Sequence, residues 1–346
     1  NEMKVGIINV TGYAGVELAR LLSRHPEVDI VSVTGRSAAG QKLGEVFPHL
    51  SDIDIVVTEE LDQSVDFVFS ALPQVASAEA VTPLVRDGVK VVDISADFRL
   101  KDPTVYEKWY KNPHPAPDLL EGAVYGLTEL ARDDVSTAQL VANPGCYPTG
   151  ALLALAPLVE KGLIEQNVII DSKSGVSGAG RGFSLTTHYS EVNENVQAYG
   201  LDGHRHLPEI TQELDRMSNH GAFNVTFVPH LIPMTRGIFS TCYVQPREGA
   251  FSSIDSTKGQ ILDLYNEFYN DDAFVKVTSV PTQTKHTLGN NNCVVCPVVD
   301  ERTGRLILTS AIDNLVKGAA GQAIQNMNLM FDMPEGLGLE GLAVYP

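Results

Sequence analysis

The beginning of the chain is the feature that most restricts its fold. Residues 4–10 form a mostly apolar run typical of a buried strand, and residues 16–24 carry three leucines at helical spacing. A second apolar run at residues 29–34 is typical of another strand. The order of strand, tight turn, helix and strand predicts a βαβ unit, which requires two parallel strands in one sheet.

The turn between the first strand and the helix has the sequence Thr11-Gly12-Tyr13-Ala14-Gly15. Glycines at such positions let the backbone approach a pyrophosphate closely, and the N–H groups of the helix N-terminus point at it. These five residues are therefore candidate cofactor ligands in a Rossmann-type domain. Glycine-rich turns between strand and helix also occur for packing alone, so that alternative stays open.

The end of the second strand indicates which dinucleotide would bind. NAD-specific sites usually place an acidic residue there to hold the ribose 2′-hydroxyl, whereas this chain has Gly35-Arg36-Ser37. A cation and a hydroxyl suit a 2′-phosphate, so Arg36 and Ser37 favour NADP(H) over NAD. The alternative is that Arg36 is a solvated loop residue.

Strand and helix patterns continue to alternate through the first half of the chain. Strands are predicted at 53–57, 67–71 and 90–94, with a helix at 76–86. This alternation is typical of a parallel sheet whose ligands bind beyond the carboxyl ends of the strands. The segments 70–73, which includes Leu72 and Pro73, and 95–99 are therefore expected to converge there with Cys146. The polar, proline-rich segment 101–118 is predicted to be a long surface excursion.

The second half of the chain has a different pattern. Strands are predicted at 168–173, 224–229, 239–245, 274–277, 293–299 and 305–312. The last two strands are joined by a hairpin-like turn. One helix is predicted at 260–269, and a final amphipathic helix from about 314 to 330. We predict an α+β domain with antiparallel strand pairs.

Cys146 lies in the sequence Asn-Pro-Gly-Cys-Tyr-Pro-Thr that begins at Asn143. A short apolar run precedes it and an apolar helical run follows, so Cys146 is predicted at a helix N-terminus. The backbone N–H groups and the positive end of the helix dipole favour thiolate there, which is the nucleophilic form of cysteine. A buried structural cysteine is the alternative. The glycine-rich loop 174–182 and the polar segment 188–209 are further candidates for a functional site.

Composition restricts the class of partner. The 25 Lys and Arg residues and 43 Asp and Glu residues give a formal charge of −18, which disfavours nucleic acid and anionic membranes as partners. Four cysteines in 346 residues and the absence of a basic-then-apolar N-terminal segment predict a cytoplasmic protein. The longest apolar run is too short to span a bilayer.

Metal binding is the alternative use of the cysteines and histidines. Cys293 and Cys296 are three residues apart in a predicted strand, where they would face opposite sides. The histidines lack a recognised ligand spacing; they include His188, His204, His206, His230 and His286. We predict no metal site.

Seven ordered blocks resemble the N-acetyl-gamma-glutamyl-phosphate reductase family, which reduces an acyl phosphate with NADPH in arginine biosynthesis. They are TGYAGVEL from Thr11, DISADFR from Asp93, YGLTEL from Tyr125, NPGCYPT from Asn143, SGVSGAGR from Ser174, HRHLPEI from His204 and PMTRGI from Pro233. The resemblance implies reduction of N-acetyl-L-glutamyl 5-phosphate to N-acetyl-L-glutamate 5-semialdehyde, with release of phosphate.

The resemblance also implies an architecture. A Rossmann-type NADP-binding domain would comprise residues 1–147 and 314–346. Residues 148–313 would form an α+β catalytic and oligomerisation domain with a mixed, largely antiparallel sheet. Because protomers of the family associate through that sheet, a homodimer or homotetramer is expected.

Site roles follow from the same resemblance. Cys146 would be the acyl-accepting nucleophile and His206 its acid and base partner. The residues implied to hold the substrate are Arg99 at its phosphate, Tyr199, His204 and Glu209. Ser177 and Gly178 would line the nicotinamide end, and Asn314 would open a last helix that returns to the cofactor domain. Arg99 could instead pair with Asp97 or Asp102, and Tyr199 could simply pack its ring.

Two departures from the family pattern concern the cofactor. Asn9 replaces the usual first glycine of the phosphate turn, and Gln74-Val75 follows Leu72-Pro73 where the family commonly has His-Gly. Two other functions stay open: an aspartate-semialdehyde dehydrogenase, which shares the nucleophile, cofactor and domain plan, and a non-catalytic NADPH-binding regulator.

Overall fold

The computed structural model describes residues 2–62 and 64–346, so Asn1 and Gln63 of the predicted first domain lie outside the described residues. The chain divides into two compact units. Unit 1 runs to Gly145 and resumes over Ala319–Gly341, and unit 2 comprises Cys146–Gly318 and Leu342–Pro346. This division falls a few residues from the domain limits expected at 147 and 314, which stay predictions.

Unit 1 alternates strands and helices over most of its length. The strands are β1 (Met3–Ile8), β2 (Val28–Thr34), β3 (Val57–Thr58), β4 (Phe67–Ser70), β5 (Lys90–Asp93), β6 (Val124–Tyr125) and β7 (Leu140–Ala142). The helices are α1 (Tyr13–Leu22), α2 (Leu43–Val46), α3 (Ala76–Arg86), α4 (Pro103–Tyr110) and α5 (Thr128–Thr137).

The seven strands form one parallel sheet in the order β3-β2-β1-β4-β5-β7-β6. Its central strands are apolar on both faces; Val5, Phe67 and Phe69 on one face and Val68 on the other are fully buried. Burial of each such side chain stabilises the fold by about 1.5–3 kcal/mol. The strand order reverses between β1 and β4, which is where doubly wound sheets open a ligand crevice. The predicted α/β architecture is confirmed.

Two expectations for unit 1 were wrong in detail. The strand predicted at 53–57 is reduced to β3, because Ile53 and Ile55 are held in turns by local backbone hydrogen bonds. The predicted surface excursion at 101–118 contains α4, whose Tyr106 and Tyr110 are buried and stack at 4.8 Å. The two rings share a helix face because they are four residues apart.

Unit 2 contains a second seven-stranded sheet and four helices. The strands are β8 (Ile164–Ser174), β9 (Gln197–Ala198), β10 (Asn224–Leu231), β11 (Ile238–Pro246), β12 (Val275–Val277), β13 (Cys293–Val299) and β14 (Leu306–Ile312). The helices are α6 (Cys146–Glu160), α7 (Tyr189–Val192), α8 (His206–Met217) and α9 (Ile254–Phe268).

The second sheet is mixed and largely antiparallel, as predicted. Its order is β12-β13-β14-β11-β8-β10-β9, with parallel pairs only at β12–β13 and β8–β10 within the described residues. Helix α6 is buried from Tyr147 to Val159 and packs on the central strands. Along β8, side chains facing away from this core are half-buried or exposed, Ile169 by 44%.

The end of the chain differs from its predicted amphipathic helix. A π-helical segment, Val316–Ala320, precedes α10 (Gly321–Met330), which is buried on almost every side. Its polar side chains have hydrogen-bond partners inside unit 1: Gln325 donates to Glu129 at 2.9 Å and Asn326 to the Gly126 carbonyl at 2.8 Å. Buried polar groups with partners cost little, so hydrophobic periodicity does not reveal this helix face.

No helix within residues 2–62 and 64–346 is long and apolar enough to cross a membrane.

Candidate active site and cofactor groove

A groove of about 740 Å³ opens in unit 1 at the carboxyl ends of β1, β2 and β4. It brings together five predicted cofactor residues, which are Thr11, Arg36, Ser37, Leu72 and Pro73. Its remaining walls include the apolar side chains of Ala76, Ala80, Pro83 and Leu84 from α3. A groove whose lining includes both a cation and an apolar wall fits a dinucleotide.

The glycine turn has the geometry expected for phosphate binding. Tyr13, Ala14 and Gly15 are the first three residues of α1, and Gly12 is its N-cap residue. Because Gly12 has no side chain, it makes no capping hydrogen bond to the N–H groups of the first turn. A Cβ at Gly15 would lie 2.3 Å from the carbonyl oxygen of Asn9, so no larger residue fits. Gly15 therefore allows α1 to pack closely against the end of β1, and the contact of this turn with a pyrophosphate stays a prediction.

Asn9 takes a conformation usually given to glycine, with φ 65°. Its side-chain amide donates to the Ala71 carbonyl at 2.9 Å, and its backbone N–H donates to Thr34 Oγ1 at 3.1 Å. Asn9 therefore joins the carboxyl ends of three strands at the groove. The sequence alone identifies Asn9 only as a departure from the usual first glycine of the phosphate turn.

Arg99, also in unit 1, is 6% exposed and held by backbone carbonyls. Its Nε donates to the Asn143 oxygen and its Nη2 to the Ile94 oxygen, each at 2.8 Å. These contacts fix the direction of the guanidinium. Its predicted contact with a substrate phosphate stays a prediction.

Cys146 is the first residue of α6, as its sequence context predicted, and it is half-buried. The other three cysteines, Cys242, Cys293 and Cys296, are buried, and all four are free thiols. Burial raises the pKa of Cys242 to about 12 and also raises that of Cys296. Among the four, the accessible thiol is the one at the helix N-terminus.

Gly318 of the π-helical segment lies directly against Cys146. A Cβ at Gly318 would be 3.0 Å from the Cys146 Cβ and 3.3 Å from its Cα. The π-helical turn therefore packs against Cys146 and fixes the position of its backbone. Such turns are frequent at functional sites. The only sequence signal was a glycine inside a helical pattern, which sequence reasoning missed.

With Cys146 as the nucleophile that the resemblance implies, we expect Gly318→Ala to lower kcat by at least about tenfold, because small displacements of a reacting group are costly. The added methyl would be 3.0 Å from the Cys146 Cβ and 3.3 Å from its Cα, so Cys146 would have to move by a few tenths of an ångström. Steady-state kinetics and thermal unfolding measure the effect. Gly259→Ala is the matched control, since that helical glycine in α9 has open space around its missing Cβ. Equal kcat values for the two variants would contradict the seating role.

An aromatic and histidine cluster surrounds the beginning of α6. The His204 ring lies 4.9 Å from His206, 5.5 Å from Tyr199, 5.6 Å from Tyr147 and 5.4 Å from Phe227, between ring centroids. The hydroxyls of Tyr147 and Tyr199 are 2.9 Å apart, and that of Tyr147 also donates to the His230 carbonyl at 3.3 Å. The structure thus brings Tyr199, His204 and His206 together, with Tyr147 as a member that sequence reasoning did not identify.

The protonation states in this cluster follow from burial. Burial lowers the pKa of His204 to about 4, with a smaller effect from the Arg205 charge. His204 Nδ1 accepts the backbone N–H of His206 at 3.0 Å, so the neutral ring carries its proton on Nε2. Burial also raises the pKa of Tyr199 to about 12. His204 and Tyr199 are therefore both neutral at pH 7.

Glu209 and His206 lie in the first turn of α8, three residues apart. This spacing places them on one face of the helix. Glu209 is 1% exposed, so the carboxyl is enclosed by protein. Their predicted partnership stays a prediction.

Ser177, Gly178 and Asn314 lie close together in unit 2. Asn314 Nδ2 donates to Ser177 Oγ at 2.9 Å, and Asn314 Oδ1 accepts the Gly237 N–H at 2.8 Å. Asn314 thus ties the loop after β8 to the loop before β11. The last α-helix begins at Gly321 rather than at Asn314.

In the described part of the chain, no three His, Cys, Asp or Glu side chains are grouped so as to hold a metal ion. Cys293 and Cys296 occupy opposite faces of β13 and are both buried.

Two family models match the chain. The semialdehyde dehydrogenase NAD binding domain matches residues 4–138, and the semialdehyde dehydrogenase dimerisation domain matches residues 146–314. Solved structures give the same fold. The chain matches aspartate semialdehyde dehydrogenase II of Vibrio cholerae with a TM-score of 0.73 at 17% identity, covering 96% of this chain and 99% of that one. It matches the Candida albicans aspartate semialdehyde dehydrogenase with NADP at a TM-score of 0.71 and 17% identity, covering 96% and 99%.

Sequence relatives are much closer. The chain is 53% identical over 343 residues to an N-acetyl-gamma-glutamyl-phosphate reductase of Dehalococcoides mccartyi, covering 99% of both chains. It is 48% identical to that of Desulforudis audaxviator, covering 99% of this chain and all of the relative. The protein is therefore an oxidoreductase that belongs to the N-acetyl-gamma-glutamyl-phosphate reductase family.

Proposed function

We propose that the protein reduces N-acetyl-L-glutamyl 5-phosphate to N-acetyl-L-glutamate 5-semialdehyde with NADPH, a step of arginine biosynthesis. The observation that carries this proposal is the identity of 53% over 99% of a reductase of that name. The aspartate semialdehyde dehydrogenases share the fold at 17% identity, which does not extend to the substrate.

The chemistry begins at Cys146. Its thiolate attacks the acyl carbon, the bond from that carbon to the phosphate oxygen breaks, and inorganic phosphate leaves a thioester. NADPH supplies the hydride when bound in the groove of unit 1. As the carbonyl carbon accepts that hydride, its bond to sulfur breaks, which releases the aldehyde and regenerates Cys146.

The histidines divide the proton chemistry between them. We assign His206 as the base that takes the Cys146 proton and as the acid of later steps. His204 is unsuited to this work because its pKa is about 4 and its Nδ1 is occupied. Its Nε2 proton is suited to donating to a substrate oxygen. We assign Tyr199, whose hydroxyl is hydrogen-bonded to that of Tyr147, to orienting the substrate by contact, and Glu209 to steadying the imidazole or the substrate.

Arg99 is assigned to the leaving phosphate. A guanidinium held by two carbonyls is already oriented, so little side-chain entropy is lost when it meets an anion. We assign Ser177, Gly178 and Asn314 to the nicotinamide end of the cofactor.

Arg36 is assigned to the 2′-phosphate of NADP(H). It is exposed at the rim of the groove beside Ser37, where a charge-assisted pair can form. We expect Arg36→Ala to raise the KM for NADPH about tenfold to a hundredfold and to leave the KM for NADH nearly unchanged. Arg86→Ala is the matched control, because Arg86 is on α3 but pairs with Asp118 outside the groove. A parallel rise for both cofactors would show that Arg36 does not read the 2′-phosphate.

We further propose that the protein is a cytoplasmic homo-oligomer, a dimer or tetramer. The exposed face of the second sheet, which includes Ile169, is a suitable surface for a second protomer. The four free thiols suit a reducing compartment.

A coupled assay in the reverse direction tests the function. N-acetylglutamate semialdehyde, phosphate and NADP⁺ should give NADPH absorbance that depends on phosphate. Faster turnover of aspartate semialdehyde would replace the proposal with aspartate-semialdehyde dehydrogenase. Binding of NADPH without turnover of either aldehyde would support a non-catalytic regulator.

A further inference from the structure

Val75, between β4 and α3, has a backbone conformation that β-branched residues rarely adopt. Its φ of 71° and ψ of −58° lie in the strained γ-turn region. Such conformations persist only where the surroundings hold them, and they cluster at ligand sites. The groups that hold Val75 are therefore informative.

The carboxylate of Asp97 holds this turn. Asp97 Oδ1 accepts the Val75 N–H at 2.9 Å, and Oδ2 accepts the Ala78 N–H at 2.8 Å. The hydroxyl of Tyr106 donates to Oδ1 at 2.6 Å. Val75 is the N-cap residue of α3 and supplies no capping side chain, so Asp97 performs that function from another part of the chain.

Asp97 is itself rigidly placed. It is fully buried, and its N–H donates to Ser95 Oγ at 3.1 Å. Its backbone carbonyl accepts a hydrogen bond from His114 Nε2 at 2.6 Å. Ser95 Oγ in turn donates to the buried Asp93 at 2.7 Å. A buried carboxylate is costly unless its hydrogen bonds are complete, and an apolar residue could fill the space if packing alone were required.

The clamped turn forms part of the groove wall. Leu72 and Pro73 precede Val75 in the chain, Ala76 and Ala80 follow it in α3, and all four line the groove. Relaxation of Val75 to negative φ would change the direction of the chain between these two sets of lining residues.

We infer that Asp97 is a positioning residue for the dinucleotide, which holds the Val75 turn in its strained form and so shapes the groove wall formed by Leu72, Pro73 and α3. This inference rests on the proposed function, in which NADPH occupies that groove. Asp97 acts through the turn and does not contact the reacting atoms.

A double-mutant cycle with Val75→Gly tests the inference, because glycine adopts positive φ without strain. Isothermal titration calorimetry with NADPH gives Kd for each purified full-length variant. We expect Asp97→Asn to raise Kd at least about tenfold, since an amide cannot accept all three hydrogen bonds. In the Val75→Gly background the same change should raise Kd less than about threefold. Equal factors in the two backgrounds would overturn the inference.

Asp215→Asn is the matched control. Asp215 accepts the Phe223 N–H at 2.7 Å in unit 2, and neither residue lines the groove. Both aspartate variants should lower the thermal midpoint, but only Asp97→Asn should raise the Kd for NADPH. An unchanged Kd for NADPH in folded Asp97→Asn would show that Asp97 only caps α3 and does not position the dinucleotide.

Tyr106→Phe keeps the inference testable if Asp97→Asn does not fold. It removes one donor from Asp97 and retains the ring, so its Kd should rise and should be restored by Val75→Gly. An unchanged Kd, or a rise that Val75→Gly does not restore, would overturn the inference. Wild-type protein that fails to bind NADPH would instead overturn the proposed function.

Discussion

Replacement of Cys146 by serine is expected to abolish turnover and to leave the Kd for NADPH within about twofold of wild type. A serine hydroxyl is not ionised at neutral pH, so the acyl carbon loses its nucleophile. Cys146 is neither among the residues that line the groove of unit 1 nor among those assigned to the nicotinamide end, so cofactor binding should persist. The reverse-direction assay and calorimetry with NADPH measure the two quantities.

Alkylation provides an independent control for the role of Cys146. Iodoacetamide near pH 7 should label it much faster than Cys242, Cys293 and Cys296, which are at most 1% exposed. Peptide mapping after a short exposure identifies the labelled thiol. A Cys146 that reacts no faster than the buried three, or a serine variant that retains turnover, would exclude the thioester mechanism.

The local features of the nucleotide domain could be predicted from the sequence because they arise from short-range rules. Alternating apolar runs and helical spacing determine β1, α1 and β2, and a turn that cannot admit a Cβ at Gly15 requires glycine there. The beginning of α6 at Cys146 follows from the same rules. The carboxyl ends of parallel strands then bring Thr11, Arg36 and Leu72 to one groove.

Features that depend on distant contacts were not accessible in this way. The clamp on Val75 comes from Asp97, 22 residues away, and the seat of Cys146 comes from Gly318 near the other end of unit 2. No spacing or composition in the sequence encodes either contact. They arise only when tertiary packing overrides local preference, as the positive φ of Val75 shows.

Helix α10 illustrates a related failure. An amphipathic helix is predicted there, yet Gln322, Gln325, Asn326 and Asn328 are all buried. Each is paired inside unit 1, for example Asn328 Nδ2 with the Leu337 carbonyl at 3.0 Å. Hydropathy ranks such residues as exposed because it does not register a hydrogen-bond partner.

Replacement of His206 by asparagine is expected to lower kcat/KM by about 10²- to 10⁴-fold, the usual contribution of general acid and base catalysis. Replacement of His204 by asparagine should have a smaller effect, concentrated in KM, because that ring is assigned to orienting the substrate. The two rings are 4.9 Å apart, so each is a matched control for the other.

The pH dependence of kcat/KM separates the two histidines further. Activity in the reductive direction should fall as the base becomes protonated, which gives an acidic limb. Burial keeps the pKa of His204 near 4, so that ring stays neutral at pH 6 to 8 and its protonation cannot produce a limb in this range. The limb should therefore persist in His204→Asn and disappear in His206→Asn. If the limb disappeared only in His204→Asn, the assignment of the base would be reversed. The Nδ1 contact of His204 with the His206 N–H would then have to break for catalysis.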